Sequence, residues 1–200
     1  VKNPDLHGNV PDEAAAALLL IDVITDLEFE GGDRLLPQAL AMADRLEPLL
    51  RRSRAAGLPT IYVNDNAGRW QSSFPAVLAH ALGPVRGAPL ARRLQPDADA
   101  YVVLKPKHSA FYSTTLDVLL RYLKVDTLVL TGLTGDRCVL FTAIDAFLRD
   151  FHLVVPSDCV ASIEPEHNRQ ALAYMARMLD ADVRDSDVVL AWIDDRRAAA

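Results

Sequence analysis

The run Thr127-Leu128-Val129-Leu130-Thr131-Gly132-Leu133-Thr134-Gly135-Asp136-Arg137-Cys138-Val139 decides the fold class. Thr127–Thr131 reads as a buried strand. The glycines allow a tight turn, and Arg137–Asp150 reads as a helix. This is one strand–turn–helix unit, and the pattern recurs on both sides of it. Ala15–Val23 is a continuous apolar run, as a strand covered on both faces would be. Pro37–Ala56 carries Leu40, Leu46, Leu49 and Leu50 at helical spacings, with Pro37 suited to a helix start and Gly57 to its end. Pro48 should kink or divide that helix. Strands follow at Pro59–Val63 and Tyr101–Leu104, a helix at Thr115–Leu123, a strand at Leu153–Pro156 and a helix at Pro165–Leu179. Ala181–Arg184 reads as a short sixth strand, Ser186–Ile193 as a terminal helix, and Arg196–Ala200 as a fraying end. Alternation of this kind predicts one α/β domain over residues 1–200, with a core of about 14–186, parallel pairing and helices on both faces.

Residues 65–97 break the rhythm with Gly68, Gly83, Gly87, Pro75, Pro84, Pro89 and Pro96. One short helix near Pro75–Leu82 is expected there. An excursion of this length is usually functional, so it reads as a lid.

Composition narrows the function classes. The chain has 200 residues, 50% of them hydrophobic and 24% charged, which is globular rather than disordered. Its net charge is −6, with no basic run longer than Arg51-Arg52, so neither nucleic acid nor an anionic membrane is an expected partner. The apolar run Ala14–Ile21 is far short of the ~20 residues a membrane span needs. Asp12 and Glu13 precede it and no small-residue cleavage site follows, so it does not read as a leader. Two cysteines, Cys138 and Cys159, make no disulfide framework, and a reduced, cytoplasmic setting is expected.

In a parallel sheet the ligand sits outside the carboxyl ends of the strands. Three of those ends carry reactive groups. Asp22 abuts the buried run Leu18-Leu19-Leu20-Ile21 and needs a partner there. Lys105 follows Val102-Val103-Leu104 directly, with Lys107 on the same strand parity as a competitor. Cys138 follows the glycine turn near a helix N-terminus, where unpaired N–H groups favour a thiolate or a developing oxyanion. Cys159 fits a buried structural thiol better. An acid, a cation and a thiol on one sheet edge suit nucleophilic acyl transfer. The histidines offer no Cys–His pair of defensible spacing, and only His108 lies near the constellation.

The segments Leu19-Leu20-Ile21-Asp22, Lys105-Pro106-Lys107-His108-Ser109-Ala110-Phe111, Thr131-Gly132-Leu133 through Cys138-Val139, Thr142–Ala146 and Pro156–Ser162 together resemble the isochorismatase-like cysteine hydrolases. That superfamily includes nicotinamidases and N-carbamoylsarcosine amidohydrolases. The resemblance implies a three-layer αβα fold with a mostly parallel six-stranded sheet in the order 3-2-1-4-5-6. It implies a catalytic triad of Asp22, Lys105 and Cys138, and so selects Lys105 over Lys107. It also implies a non-proline cis peptide between Leu133 and Thr134, with the N–H groups of Thr134 and Cys138 facing an oxyanion. Nicotinamidases carry an Asp-x-His metal motif after strand two. Here the matching stretch, Val63-Asn64-Asp65-Asn66-Ala67, has alanine where the histidine belongs, so neither metal nor cofactor is expected. Isochorismatases proper lack the nucleophilic cysteine, so Cys138 points to a C–N bond rather than a vinyl ether.

The expected activity is therefore hydrolysis of a small amide, N-carbamoyl or ureido compound through a thioester. Asn64, Asn66, Arg69, Trp70, Phe111, Tyr112 and Phe141 are the candidate substrate contacts. The resemblance further implies a homo-oligomer, dimer or tetramer, in which one subunit's loops complete another's site. Two other readings stand beside it. One is a thiol redox protein with Cys138 as the peroxidatic residue and Cys159 as its resolver. The other is a small-molecule binding protein on the same scaffold.

Overall fold

A computed structural model describes residues 14–70 and 72–198, apart from the side chains of 194–198. β1 (Ala16–Ile21) lies at the centre, with every residue buried. It pairs in parallel with β2 (Thr60–Asp65) on one side and β4 (Thr127–Leu133) on the other. β3 (Tyr101–Lys105) forms one edge beyond β2, and β5 (His152–Val154) continues beyond β4. The path is thus β3-β2-β1-β4-β5, all parallel.

Alternation along β1 explains the layers. Ala17, Leu19 and Ile21 enter one apolar cluster, and Leu18 and Leu20 enter the other. The first cluster is covered by α4 (Leu116–Tyr122), α5 (Leu140–Phe147) and α6 (Pro165–Met178). The second is covered by α1 (Gly32–Ala55), α3 (Ala88–Leu94) and α7 (Ser186–Ala198), with Ala81 of α2 (Phe74–Ala81) at its margin. The result is the expected three-layer αβα architecture.

Several elements differ from expectation. The sixth strand, β6, is Val160–Ala161, and it pairs with Gly132 and Leu133 of β4 rather than lying outside β5. β5 and β6 therefore follow the same neighbour, interrupted by a short turn at Ser157–Cys159. Ala181–Arg184 retains a single parallel bridge, Val154 to Asp182. α1 begins at Gly32, five residues before Pro37, and runs unbroken through Pro48. Each proline forfeits one helical hydrogen bond and costs about 3 kcal/mol. Leu35, Leu46, Leu49 and Leu50 are all buried on the same helix, at roughly 1.5–3 kcal/mol each, and they outweigh that cost. The 65–97 segment holds two helices, not one. Gly87 and Pro89 read as breakers, but the proline sits in the first turn of α3, where its missing N–H is harmless. α7 runs on through Ala198, past the expected end at Ile193; residues 199 and 200 lie outside the described residues.

Candidate active site

The strand ends converge because the backbones of β1 and β4 touch. Gly132 has φ +108°, and a Cβ there would lie 2.1 Å from the Ile21 carbonyl oxygen. Only glycine lets β4 pass this close to the end of β1. Asp22 then leaves β1 with φ 51° and donates its N–H to the Val63 carbonyl (2.9 Å). The Leu133–Thr134 peptide is cis, as the resemblance implied.

Cys138 does not open a regular helix. Gly135–Val139 forms a π-helical turn, closed by the Val139 N–H on the Thr134 carbonyl (3.1 Å), and α5 starts only at Leu140. The turn is braced from behind. Ser162 and Asn168 join through a hydroxyl–amide hydrogen bond (3.1 Å), the Asp136 N–H donates to the Ser162 hydroxyl (3.2 Å), and Asn168 Nδ2 donates to the Val160 carbonyl (3.1 Å). A Cβ on Gly135 would meet Asn168 Oδ1 at 2.1 Å, so any larger residue must displace the amide that braces the turn. On the other side, the Thr142 hydroxyl donates to the Cys138 carbonyl (2.7 Å) and accepts from the Ala110 N–H (3.0 Å). That bond ties the Ser109-Ala110-Phe111 stretch to the cysteine.

The structure brings Asp22, Lys105 and Cys138 together. Lys105 Nζ lies 2.8 Å from Asp22 Oδ2 and 3.5 Å from Cys138 Sγ. Asp22 Oδ1 accepts the Asp65 N–H (2.7 Å). The Lys105 side chain is wholly buried, whereas Lys107 is exposed. Burial works against the Lys105 charge, but Asp22, Cys138 and Asp65 more than offset it and hold its pKa above the ordinary lysine value. Burial, then the Asp22 carboxylate, pushes the Cys138 thiol up to about 12, with Lys105 pulling the other way. Burial at this position therefore favours the thiol over the thiolate.

Asp22 and Cys138 open onto a cavity of about 910 Å³, with Lys105 buried behind them. Asn64, Asn66 and Arg69 line it, together with Ala76, Val77 and His80 from α2, so the 65–97 segment supplies one wall. Other proposed contacts sit elsewhere. Phe111 is buried against Phe151 and beneath the Arg149 guanidinium, in the core. Its position after Ser109-Ala110 turns it inward rather than toward ligand. Trp70, Tyr112 and Phe141 are exposed and outside the cavity wall. Of the three histidines of the wall, sequence reasoning singled out His108 and missed His80 and His167. His80 pairs with Asp26 (2.9 Å), His167 lies 3.9 Å from Asp136, and His108 Nδ1 lies 3.7 Å from Cys138 Sγ. His108 carried a signal, three residues past Lys105; His80 and His167 carried none.

The residues at the nicotinamidase-type metal position do not fit a metal. Ala67 offers no donor atom, and the Asp65 carboxylate accepts the Ala67 N–H (2.6 Å) and faces Lys105 (3.6 Å). Among the described residues no group of three His, Cys, Asp or Glu side chains could hold an ion. None of the described helices is long and apolar enough to cross a membrane.

A fold of this order with a thiol, an acid and a lysine after β4, β1 and β3 defines a class, and comparison places the chain within it. Residues 16–187 match the Isochorismatase domain, and the chain belongs to that family of hydrolases. It is 36% identical over 179 residues to an uncharacterized isochorismatase family protein, YaaI, of Bacillus subtilis (strain 168), covering 89% of this chain and 98% of that one. It is 29% identical over 184 residues to a maleamate amidohydrolase of Pseudomonas putida, covering 86% and 82% of the two chains. Among solved structures, N-carbamoylsarcosine amidase from Thermoplasma acidophilum superposes with a TM-score of 0.67 at 29% identity, over 87% of this chain and 98% of that one.

Proposed function

We propose that this protein is a cysteine amidohydrolase that cleaves the C–N bond of a small amide, N-carbamoyl or ureido compound through a thioester. The observation that carries the reading is the position of Cys138 Sγ, 3.5 Å from Lys105 Nζ, which is itself paired with Asp22 at 2.8 Å, at a cavity of small-molecule size. Asp22 takes the thiol proton as sulfur attacks the substrate carbonyl. The peptide N–H groups of Thr134 and Cys138 receive the tetrahedral oxyanion. Asp22 hands its proton to the departing amine, and water then hydrolyses the thioester with Asp22 as base. Lys105 balances the charge that moves between carboxylate and sulfur. The similar proteins named for maleamate and N-carbamoylsarcosine support this choice of bond.

The redox reading has less support. Cys159 is wholly buried in the cluster on the α1 face, whereas Cys138 packs against the opposite cluster, so the sheet separates the two thiols. The test is ammonia release from a panel of small primary amides, N-carbamoyl compounds and ureido acids, with Cys138→Ala alongside. Release that vanishes in a folded variant supports the assignment. Release that persists in Cys138→Ala ends it.

A further inference from the structure

We propose that the cavity selects an anionic substrate: a small amide, N-carbamoyl or ureido compound whose other end is a carboxylate, held by Arg69 and Arg137. The inference rests on the amidohydrolase reading and deepens it by naming the class of substrate.

Most of the charge on the cavity wall is paired within the protein. Asp22 and Asp65 share Lys105, Asp26 faces His80, Asp136 faces His167, and Glu164 holds Arg34. Glu30 adjoins that last pair, since a Cβ on the neighbouring Gly31 would lie 3.5 Å from Arg34 Nη2. Among the described residues, Arg69 and Arg137 are the cavity arginines that face no carboxylate of the protein. A guanidinium on a cavity wall with no internal partner keeps its planar fork of donors free for a carboxylate.

Both arginines are carried by turns anchored beside the reacting groups. The Arg69 N–H donates to the Asn66 carbonyl (2.9 Å), and the Asn66 N–H donates to the carbonyl of Lys105 (3.0 Å). The Arg137 N–H donates to the Thr134 carbonyl (3.1 Å), within the π-helical turn that presents Cys138. Asn66 adds a neutral donor between them and the strand. It lines the cavity and is only 8% exposed; its Oδ1 accepts the Gly68 N–H (2.9 Å), and its Nδ2 has no partner among the described residues. A buried donor of this kind is satisfied by an acceptor that arrives from the cavity.

One molecule must therefore offer a carbonyl to Cys138 and an anionic acceptor to these donors. The chain as a whole carries −6, so unpaired cations confined to one cavity focus an anion there and nowhere else on that wall. The substrate carboxylate stays charged while the amide reacts. Its binding is then the same in ground and transition states, and it acts on KM rather than kcat.

The test measures ammonia release from malonamate, succinamate and glutaramate, each against its neutral diamide, and from N-carbamoylglycine against its methyl ester. Charge-assisted hydrogen bonds are about twice as strong as neutral ones, so the acid of at least one pair should exceed its neutral partner about tenfold to a hundredfold in kcat/KM. Arg69→Gln combined with Arg137→Gln should bring that ratio close to one, with the loss carried by KM. Asn66→Asp keeps an oxygen for the Gly68 N–H but puts an anion where the free donor was, and should invert the ratio. Arg34→Gln removes a cation already engaged by Glu164 and should leave the ratio as it is. Succinate and glutarate have no scissile bond; one of them should slow iodoacetamide labelling of Cys138 in wild type and not in the double arginine variant. Equal kcat/KM within every pair, a preference that survives the double variant, or an equal collapse in Arg34→Gln overturns the anion site and leaves the amidohydrolase reading standing. Arginine-dependent protection of Cys138 with no ammonia from any compound supports the anion site and overturns the amidohydrolase reading.

Discussion

Asp22→Asn should make Cys138 easier to alkylate while removing its catalysis. Burial and the Asp22 carboxylate lift the thiol from 9.0 to about 12, and Lys105 opposes them. At pH 7 such a thiol is ionised to on the order of 10⁻⁵, so the resting enzyme should react slowly with iodoacetamide. The substitution removes the anion that raises the thiol but leaves Lys105 Nζ 3.5 Å from sulfur. A fall of about one pH unit, ~1.4 kcal/mol, would multiply the thiolate about tenfold. Iodoacetamide labelling at neutral pH should therefore accelerate roughly tenfold, with mass spectrometry placing the label on Cys138 and not on the buried Cys159. Amide hydrolysis in the same variant should fall by about 10²–10⁴, the usual loss on removing a general base. Labelling that is unchanged or slower would refute the argument that Asp22 holds the proton on sulfur.

Other outcomes follow from the same geometry. Lys105→Met strands a carboxylate that is 16% exposed, and should cost about 3–5 kcal/mol by urea denaturation. The double variant with Asp22→Asn should recover part of that loss, and strictly additive losses would argue against coupling. Gly132→Ala drives a Cβ into the Ile21 carbonyl, and should either fail to accumulate as soluble protein or lose several kcal/mol; near-wild-type stability would show that β1 and β4 can separate. Asp158 accepts hydrogen bonds from the Ser186 N–H, the Ser186 hydroxyl and Arg45, all at 2.8 Å. Burial opposes its charge, but these donors prevail and hold its carboxyl below the ordinary range. Its stabilisation is thus present above the ordinary carboxylate pKa of ~3.9 and fades as pH falls through the lowered folded value. Asp158→Asn should cost about 1 kcal/mol at pH 7, with a difference from wild type that vanishes in acid.

Legibility in the sequence followed the physics of each element. β1 and β4 were readable because strands covered on both faces are continuous apolar runs. Asp22 and Lys105 were readable because each puts a charge directly after an apolar run, and Cys138 because a glycine turn leads from β4 to it. Lys105 and Lys107 share strand parity, so only the family pattern separated them, and burial now does so independently. α3 was hidden because its flanking glycine and proline signal a turn as strongly as a helix start. The π-helical turn at Cys138 was invisible, since it depends on Asn168 and Ser162, about thirty residues downstream and brought close only by the sheet. His80 and His167 were unreadable for the same reason. Phe111 looked like a ligand contact because an aromatic beside a reactive segment can face either way, and packing against Phe151 settles it.

Lys105 sits on β3, an edge strand, which among the described residues pairs only with β2. Its ammonium reaches past Asp65 on β2 to Asp22 on β1. An edge strand belongs to the part of a sheet that opens most easily, ahead of global unfolding. Detachment of β3 alone would carry the counter-ion of Asp22 away while β1, β2 and β4 stayed folded. The chemistry is thus tethered to a strand at the margin of the sheet. On gradual warming or denaturation, activity should disappear in step with amide exchange at Tyr101–Lys105, before the central strands exchange.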